Sequence, residues 1–255
     1  IACTQGQFMF KMPLNSTLDV LFPQFCRCCE DPLTVWALLC QQCQNELPRV
    51  GFSCRRCGQA LGVVTDTCGA CLTAPCPQNQ TIAPFWFNGT IAETVKAIKY
   101  GLKPQLARPL TDILLQELEE GFSISSEQGY TGIVPIPSER GKLKHRGFNP
   151  AALLAKHLGS ALCIPVYYTA LYKRDKSPSQ VGSSRSARLR QANGQFKVNH
   201  SILENAARYR NDDMKPKILL IDDVLTTGAT LRSAAKLLKQ NNVESITAVC
   251  VALSP

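Results

Sequence analysis

From residue 81 onward the chain alternates two apolar patterns. Continuous apolar runs occur at Ile133-Val134-Pro135-Ile136-Pro137, at Ile218-Leu219-Leu220-Ile221 and over 246–253. Unbroken runs of this length suit parallel strands buried on both faces, and the last of them is expected to close the sheet. Phe85-Trp86-Phe87 and residues 166–171 read as further strands. Between these runs the apolar positions recur every three to four residues. The spacing predicts a helix over 91–100 with Gly101 just past its end, and a longer one to Glu120 with Gly121 as its stop. In the longer helix Leu106, Leu110, Ile113, Leu114 and Leu118 share a face, and Pro109 marks a start or a kink. Asn149-Pro150 reads as an N-cap followed by a first-turn proline, opening a helix to Leu162, and 229–238 is a further amphipathic helix. Strand and helix patterns in alternation predict an α/β domain with a mostly parallel sheet flanked by helices.

Upstream the periodicity disappears and cysteine takes over. Cys26-x2-Cys29, Cys40-x2-Cys43, Cys54-x2-Cys57 and Cys68-x2-Cys71 form four C-x2-C pairs, and each cysteine of the first quartet stands 28 residues before its counterpart in the second. This is a tandem repeat of one C-x2-C-x10-C-x2-C unit. A C-x2-C turn aims two thiolates at one ion, and zinc takes four at about 2.3 Å. The eight cysteines are therefore candidate ligands for one or two Zn²⁺ ions. A disulfide framework needs an oxidising compartment, and no basic segment followed by an apolar stretch opens the chain as an export signal would. Sequential pairing of the knuckles, cross-bracing and a single occupied site all fit the spacing, and Cys28 could replace a neighbour. Four thiolates leave no open coordination position, so the expected role is structural. Cys3, Cys76, Cys163 and Cys250 fit no pattern and read as buried or incidental thiols, and the isolated His145, His157 and His200 are not read as ligands. Pro75, Pro77 and Gln78-Asn79-Gln80 read as a linker, which gives two units: a zinc-ribbon-like module over 21–77 and an α/β domain over 81–255.

Charge sharpens the division. The 255-residue chain carries a net charge of +9, yet residues 1–80 hold five basic and five acidic side chains. Residues 140–197 hold twelve basic side chains against Asp175 alone. So one-sided a field favours polyphosphates, nucleic acid or another anionic surface, against the plainer alternative of a solvated basic face. The polar, Ser-rich stretch 173–195 is expected to be a long mobile arm or lid. Phe148, Tyr167, Tyr168, Tyr172 and Phe196 are interleaved with the basic residues and offer stacking faces, or else core packing. No run approaches the ~18 apolar residues of a membrane-spanning helix.

The sharpest motif is Ile218-Leu219-Leu220-Ile221-Asp222-Asp223-Val224-Leu225-Thr226-Thr227-Gly228-Ala229-Thr230. A buried strand ends in two carboxylates, and a short Thr/Gly loop then leads into a helix. Such a loop offers backbone N–H groups and hydroxyls to an anion at a helix N-terminus. Adjacent carboxylates suit the vicinal hydroxyls of a ribose, or Mg²⁺. Together they describe a site for a ribose 5-phosphate at the carboxyl end of a parallel strand.

These thirteen residues resemble the PRPP-binding signature of type I phosphoribosyltransferases. With the cysteine module ahead of it, the chain resembles the ComF family of competence proteins. Three further segments carry that resemblance: Ile98-Lys99-Tyr100-Gly101; Val134-Pro135-Ile136-Pro137 leading to Arg146-Gly147-Phe148-Asn149; and Gln180 through Arg188 to Asn193 and Phe196. The resemblance implies a cytoplasmic protein that handles imported single-stranded DNA in natural transformation, on a type I phosphoribosyltransferase fold whose own reaction the sequence leaves open. It implies PRPP with Mg²⁺ as ligand. Asp222 and Asp223 would hold the ribose hydroxyls and act in any catalysis, while Thr226, Thr227, Gly228, Ala229 and Thr230 would hold the 5-phosphate. Arg140 becomes a candidate for the pyrophosphate. Arg146, Lys173, Arg174, Arg185 and Arg188 are the candidates for single-stranded DNA. The alternatives are an active phosphoribosyltransferase acting on a nucleobase or amine, and a scaffold that docks a partner such as a competence helicase.

Overall fold

The computed structural model describes residues 24–33, 37–173, 195–208 and 215–255. Its N-terminal part makes the cysteine repeat visible as structure. β1 (Gln24–Phe25) pairs antiparallel with β2 (Pro32–Leu33), and α1 (Gln41–Asn45) follows. Twenty-eight residues on, Ser53 and Ala60 form the equivalent antiparallel bridge and α2 (Gly69–Thr73) the equivalent helix. Cys40 and Cys68 cap the two helices at matching positions.

The sheet starts at once. Asn79, expected in a linker, donates its backbone N–H to the Ile246 carbonyl and accepts from the Ile246 N–H through its side chain, and Gln80 already belongs to β3 (Gln80–Ile82). Then come β4 (Phe85–Trp86), α3 (Gly89–Lys99), α4 (Ala107–Phe122), β5 (Gly132–Pro135), α5 (Arg140–Arg146), α6 (Pro150–Leu162), β6 (Leu171–Lys173), β7 (Phe196–Val198), α7 (His200–Arg208), β8 (Lys217–Ile221), β9 (Val224–Leu225), α8 (Ala229–Gln240), β10 (Ser245–Val249) and β11 (Ala252–Leu253). The strands β3-β10-β8-β5 lie parallel in that order. β4-β11-β9 repeats the same order one step further along, so three of the four strands break and resume at their carboxyl ends. In β8 the break falls at Asp222-Asp223.

Period-two burial explains the sheet. Leu219 and Ile221 face a core shared with Ile91, Leu110, Leu114 and Leu158 of α3, α4 and α6. Ile218 and Leu220 face the opposite core, with Leu231, Ala234 and Leu238 of α8. Every one of these β8 side chains is fully buried, as an unbroken apolar run requires. The Asn149 side chain caps α6 by accepting from the Ala151 N–H at 3.2 Å, with Pro150 in the first turn, so this helix starts and stops where the sequence places it.

Three expectations are corrected. The last apolar run does not close the sheet, because β10 lies in its interior between β3 and β8. α4 runs past Gly121 to Phe122 and ends on Ser123 in a left-handed conformation, with Pro109 accommodated in its first turn. Of residues 166–171, only Val166 bridges to the sheet, opposite Ile133, and Leu171 opens the separate β6–β7 pair.

The ribbons are docked on this domain. Leu38, Leu39, Cys43 and Leu47 belong to the same buried cluster as Leu110, Leu114 and Leu118. Residues 48–50 line the outer edge of β4: Val50 N–H donates to the Pro84 carbonyl at 2.7 Å, and Trp86 N–H to the Pro48 carbonyl at 2.8 Å. No helix among the described residues is long and apolar enough to cross a membrane.

Candidate functional site

The eight repeat cysteines resolve into two tetrads, Cys26/Cys29/Cys40/Cys43 and Cys54/Cys57/Cys68/Cys71, the four sulfurs of each lying within 4.8 Å of one another. Pairing is therefore sequential, and Cys28 stands outside the first tetrad. Equivalent contacts recur in both. Cys40 N–H points at the Cys26 sulfur at 3.4 Å, and Cys68 N–H at the Cys54 sulfur at 3.3 Å. Burial opposes ionisation of Cys26, but backbone N–H donors from Cys29, Cys40 and Cys28 outweigh it and bring the thiol down to about 6. At Cys54 the same opposition is overcome by Cys57, Cys68 and Arg56, again reaching about 6. Four clustered sulfurs, one held as thiolate by N–H donors, fit tetrahedral Zn²⁺. Cys76, expected to be a buried or incidental thiol, is buried, with its sulfur 3.6 Å from that of Cys71. Cys250 is buried and Cys163 is disulfide-bonded, while Cys3 lies outside the described residues.

A cavity of about 180 Å³ opens at the carboxyl ends of β8 and β5. Asp222, Asp223 and Thr230 form one wall, and Ile136 to Glu139, after β5, form another. Lys99 and Tyr100 enter from the end of α3, Lys142 and Arg146 from α5, and Lys173 from β6.

The two carboxylates differ. Asp223 is ion-paired with Lys99, its Oδ1 2.6 Å from Nζ, and both side chains are largely covered. Asp222 accepts the Asp223 N–H at 2.9 Å. Burial, and then the adjacent Asp223 charge, push Asp222 up to about 7, against the opposing influence of that N–H, Lys99 and Lys173. Near neutral pH Asp222 thus sits close to its midpoint, beside the Asp223–Lys99 ion pair. With an oxygen of Asp223 taken by Lys99, the pair is no all-carboxylate cage for a bare Mg²⁺.

The remaining charges are interlocked. Glu139 lies 3.3 Å from Lys142 and 3.9 Å from Lys173. Arg146 stacks 5.0 Å over the Tyr100 ring. Asn149 donates to the Ile136 carbonyl and accepts from Ser138 Oγ, both at 2.8 Å, tying the loop after β5 to the start of α6.

The loop after β9 has its own bracing. Gly228 adopts a left-handed conformation at φ +68°, and a Cβ there would lie 3.1 Å from the Arg232 guanidinium. Arg232 donates to the Thr227 carbonyl at 2.7 Å, and Ala229 N–H to Thr227 Oγ1 at 3.4 Å.

Of the residues singled out by sequence, the cavity gathers Asp222, Asp223, Thr230, Arg146 and Lys173. Thr226, Thr227, Gly228 and Ala229 occupy the adjoining loop, outside the cavity wall, and Arg140 begins α5 without lining it. Arg174, Arg185 and Arg188 lie outside the described residues. Sequence reasoning missed Lys99, Glu139 and Lys142 as site residues. Lys99 stood in a family-like segment, but its partner is 124 residues away.

Residues 143–255 match the phosphoribosyl transferase domain, and residues 17–72 the double zinc ribbon domain. DNA utilization protein YhgH of Escherichia coli (strain K12) is 26% identical over 72% of this chain and 76% of its own length. Competence protein F of Haemophilus influenzae is 25% identical over 70% and 75%. Adenine phosphoribosyltransferase from Saccharomyces cerevisiae aligns with 60% of this chain and 70% of its own, at 20% identity and a TM-score of 0.36. The chain thus joins a segment that matches the double zinc ribbon domain to one that matches the phosphoribosyl transferase domain, and over most of its length it is similar to proteins named for DNA utilization and competence.

Proposed function

We propose that the cavity binds a 5-phosphoribosyl ligand, PRPP accompanied by Mg²⁺ or the 5-phosphate end of a strand, in a cytoplasmic protein that handles imported single-stranded DNA. One observation carries the reading. Two carboxylates suited to ribose hydroxyls share a cavity with Lys99, Lys142, Arg146 and Lys173 at the carboxyl end of a parallel sheet. A phosphorylated ribose meets that pattern: its diol faces Asp222 and Asp223, and its anionic groups face the cations. Adjacent carboxylates reward a vicinal diol, so ribose 5-phosphate should bind more tightly than its 2-deoxy analogue. The names of the relatives supply the context of DNA uptake and use.

In a transfer reaction Asp222 and Asp223 would orient the ribose, and the cationic wall would take up charge on the leaving pyrophosphate. Mg²⁺ would supply further charge neutralisation on the pyrophosphate. That enzymatic reading is favoured by one further detail: Asp223 is ion-paired with Lys99, while burial and the neighbouring Asp223 charge push Asp222 up to about 7. Strand binding would extend from Arg146 and Lys173, with Arg174, Arg185 and Arg188 as the remaining candidates. A helicase is a candidate partner.

The test is equilibrium binding of Mg-PRPP and of ssDNA, with pyrophosphate release measured alone, with a mixture of nucleobases and with ssDNA. Asp222→Asn/Asp223→Asn is the control. Binding of PRPP that is lost in the control supports the site, and acceptor-dependent release makes it an enzyme. Failure of PRPP to bind the wild type overturns the reading. Strand binding through the basic residues should weaken steeply with salt.

A further inference from the structure

The second ribbon touches the phosphate loop. Gln59, two residues after Cys57, donates through Nε2 to the Thr226 carbonyl at 3.0 Å. Gly58, at φ +75°, comes so close to the same strand end that a Cβ would lie 2.6 Å from Leu225 and 2.8 Å from Thr81. Both residues are fixed by the metal knuckle itself. Gly58 N–H donates to the Cys54 carbonyl at 2.7 Å, and Cys54 N–H to the Gln59 carbonyl at 2.8 Å. The knuckle is also sewn to β3: Thr81 N–H donates to the Arg55 carbonyl at 2.8 Å, and Thr81 Oγ1 to the Arg56 carbonyl at 2.7 Å.

What Gln59 does follows from peptide geometry. In a trans peptide the carbonyl and the next N–H point in opposite directions, and there is no cis bond among the described residues. Gln59 holds the Thr226 carbonyl, and Arg232 holds the Thr227 carbonyl. The N–H groups of Thr227 and Gly228 are thereby turned away from these two donors. Two successive peptides of the anion-binding loop are set by side-chain donors, one on the loop's own helix and one on the zinc ribbon. Were either peptide to flip, an oxygen would replace an N–H donor, which an anion cannot use.

We infer that Gln59 is a positioning residue for the phosphate loop, and that metal loading of the second tetrad is thermodynamically linked to phosphoribosyl binding. The inference rests on the phosphoribosyl reading above. Loss of metal frees Cys54 and Cys57, and with them the turn that aims Gln59. Linkage runs both ways, so bound ligand must retain the second ion more tightly. Among the described residues the knuckles of the first tetrad make no such contact with the loop; the first ribbon docks against α4 instead, and serves as an internal control.

The experiment uses the full chain loaded with zinc at both tetrads. Zinc release to a chromogenic chelator is followed with and without saturating PRPP, and PRPP affinity is measured by calorimetry. PRPP should slow release of one zinc equivalent about threefold to tenfold and leave the other unchanged. Gln59→Met keeps the side-chain length and removes the donor. It should retain both zinc ions and the wild-type melting temperature, weaken PRPP about threefold to tenfold and abolish the protection. In Cys29→Ser, which opens the first tetrad, the protected equivalent should remain. If PRPP binds the wild type but protects neither ion, or both equally, or if Gln59→Met binds PRPP as the wild type does, the linkage is wrong. Absence of any PRPP binding by the wild type overturns the phosphoribosyl reading and the linkage with it.

Discussion

The two ribbons share one sequence pattern and one local structure, yet they are held in place by different forces. The first docks through apolar side chains: Leu38, Leu39 and Leu47 join the helical core beneath α4. The second has a separate cluster made of Cys54, Cys57, Cys71 and Cys76 with Leu61 and Cys68 at its margin, so its core is almost entirely sulfur. It is joined to the sheet by hydrogen bonds from Thr81 and Gln59. A repeat thus fixes the metal geometry, while the residues between the ligands decide what each copy is attached to. The copy without its own aliphatic core is the one that reaches the loop after β9.

The largest effect that would break this comparison is metal removal. Structural zinc contributes on the order of 10 kcal/mol in isolated zinc fingers. Under a strong chelator, amides of 54–71 should lose hydrogen-exchange protection almost completely, whereas 38–47 should keep part of theirs through leucine packing. Equal loss in both ribbons would show that the apolar docking of the first is too weak to matter. The shared core also sets an expectation against independent melting: chelation should lower the melting temperature of the whole chain, not only of the ribbons.

The complementary substitution is Leu39→Ala. Leu39 is 3% exposed within the common core, and removing a buried leucine side chain costs about 2–5 kcal/mol. Thermal unfolding followed by calorimetry should show a clear drop with both zinc ions retained. A change at the second ribbon, which lacks such a residue, cannot produce this combination.

How much of this was legible in the sequence depends on the distance over which each feature is written. The cysteine repeat, the Asn149-Pro150 cap and the apolar run ending in Asp222-Asp223 are local, and each appears where the sequence places it. Two-residue strands such as β4, β9 and β11 are too short to show a period, and only their neighbours in the sheet define them. The interior position of β10 is a matter of topology that an apolar run does not encode. Lys99 meets Asp223 and Gln59 meets Thr226 across 124 and 167 residues, so neither partner carries a local signal. Gln78-Asn79-Gln80 looked like a linker because polar composition usually marks solvent, yet Gln78 is buried and Asn79 bonds to Ile246.

The acidic end of the loop offers a third, pH-dependent test. Asp222 is pushed up to about 7 from its ordinary 3.8. A carboxyl whose folded pKa is raised favours the folded state fully below the unfolded value, and that contribution is lost as pH climbs from about 3.8 through 7. Asp222→Asn should therefore stabilise the chain at pH 8 by roughly 2–4 kcal/mol and leave it nearly unchanged at pH 4. Melting temperatures across that range, taken with and without zinc in the second tetrad, would show whether the ribbon that braces the loop also maintains the environment of the carboxylate. An equal difference at both pH values would remove burial of the charge as the cause.

The smallest effect concerns a charged contact that docks the first ribbon. Arg49 reaches Glu117 of α4 through Nε at 3.0 Å and Nη2 at 2.6 Å, and its Nη1 donates to the Asn45 carbonyl at 2.9 Å. The arginine side chain is 39% exposed, so solvent screens the pair and its contribution is about 0.5–1 kcal/mol. A double-mutant cycle of Arg49→Ala and Glu117→Ala should return a coupling of that size, falling as salt is raised. A coupling that persists in high salt would assign the pair to its short hydrogen bonds and not to longer-range charge; the guanidinium also lies 5.9 Å from the Phe85 ring centroid, a contact that the cycle cancels. Either result leaves leucine packing as the main attachment of the first ribbon, because neither approaches the cost of losing Leu39. Only a coupling of several kcal/mol would make the first ribbon, like the second, a module attached chiefly by polar contacts.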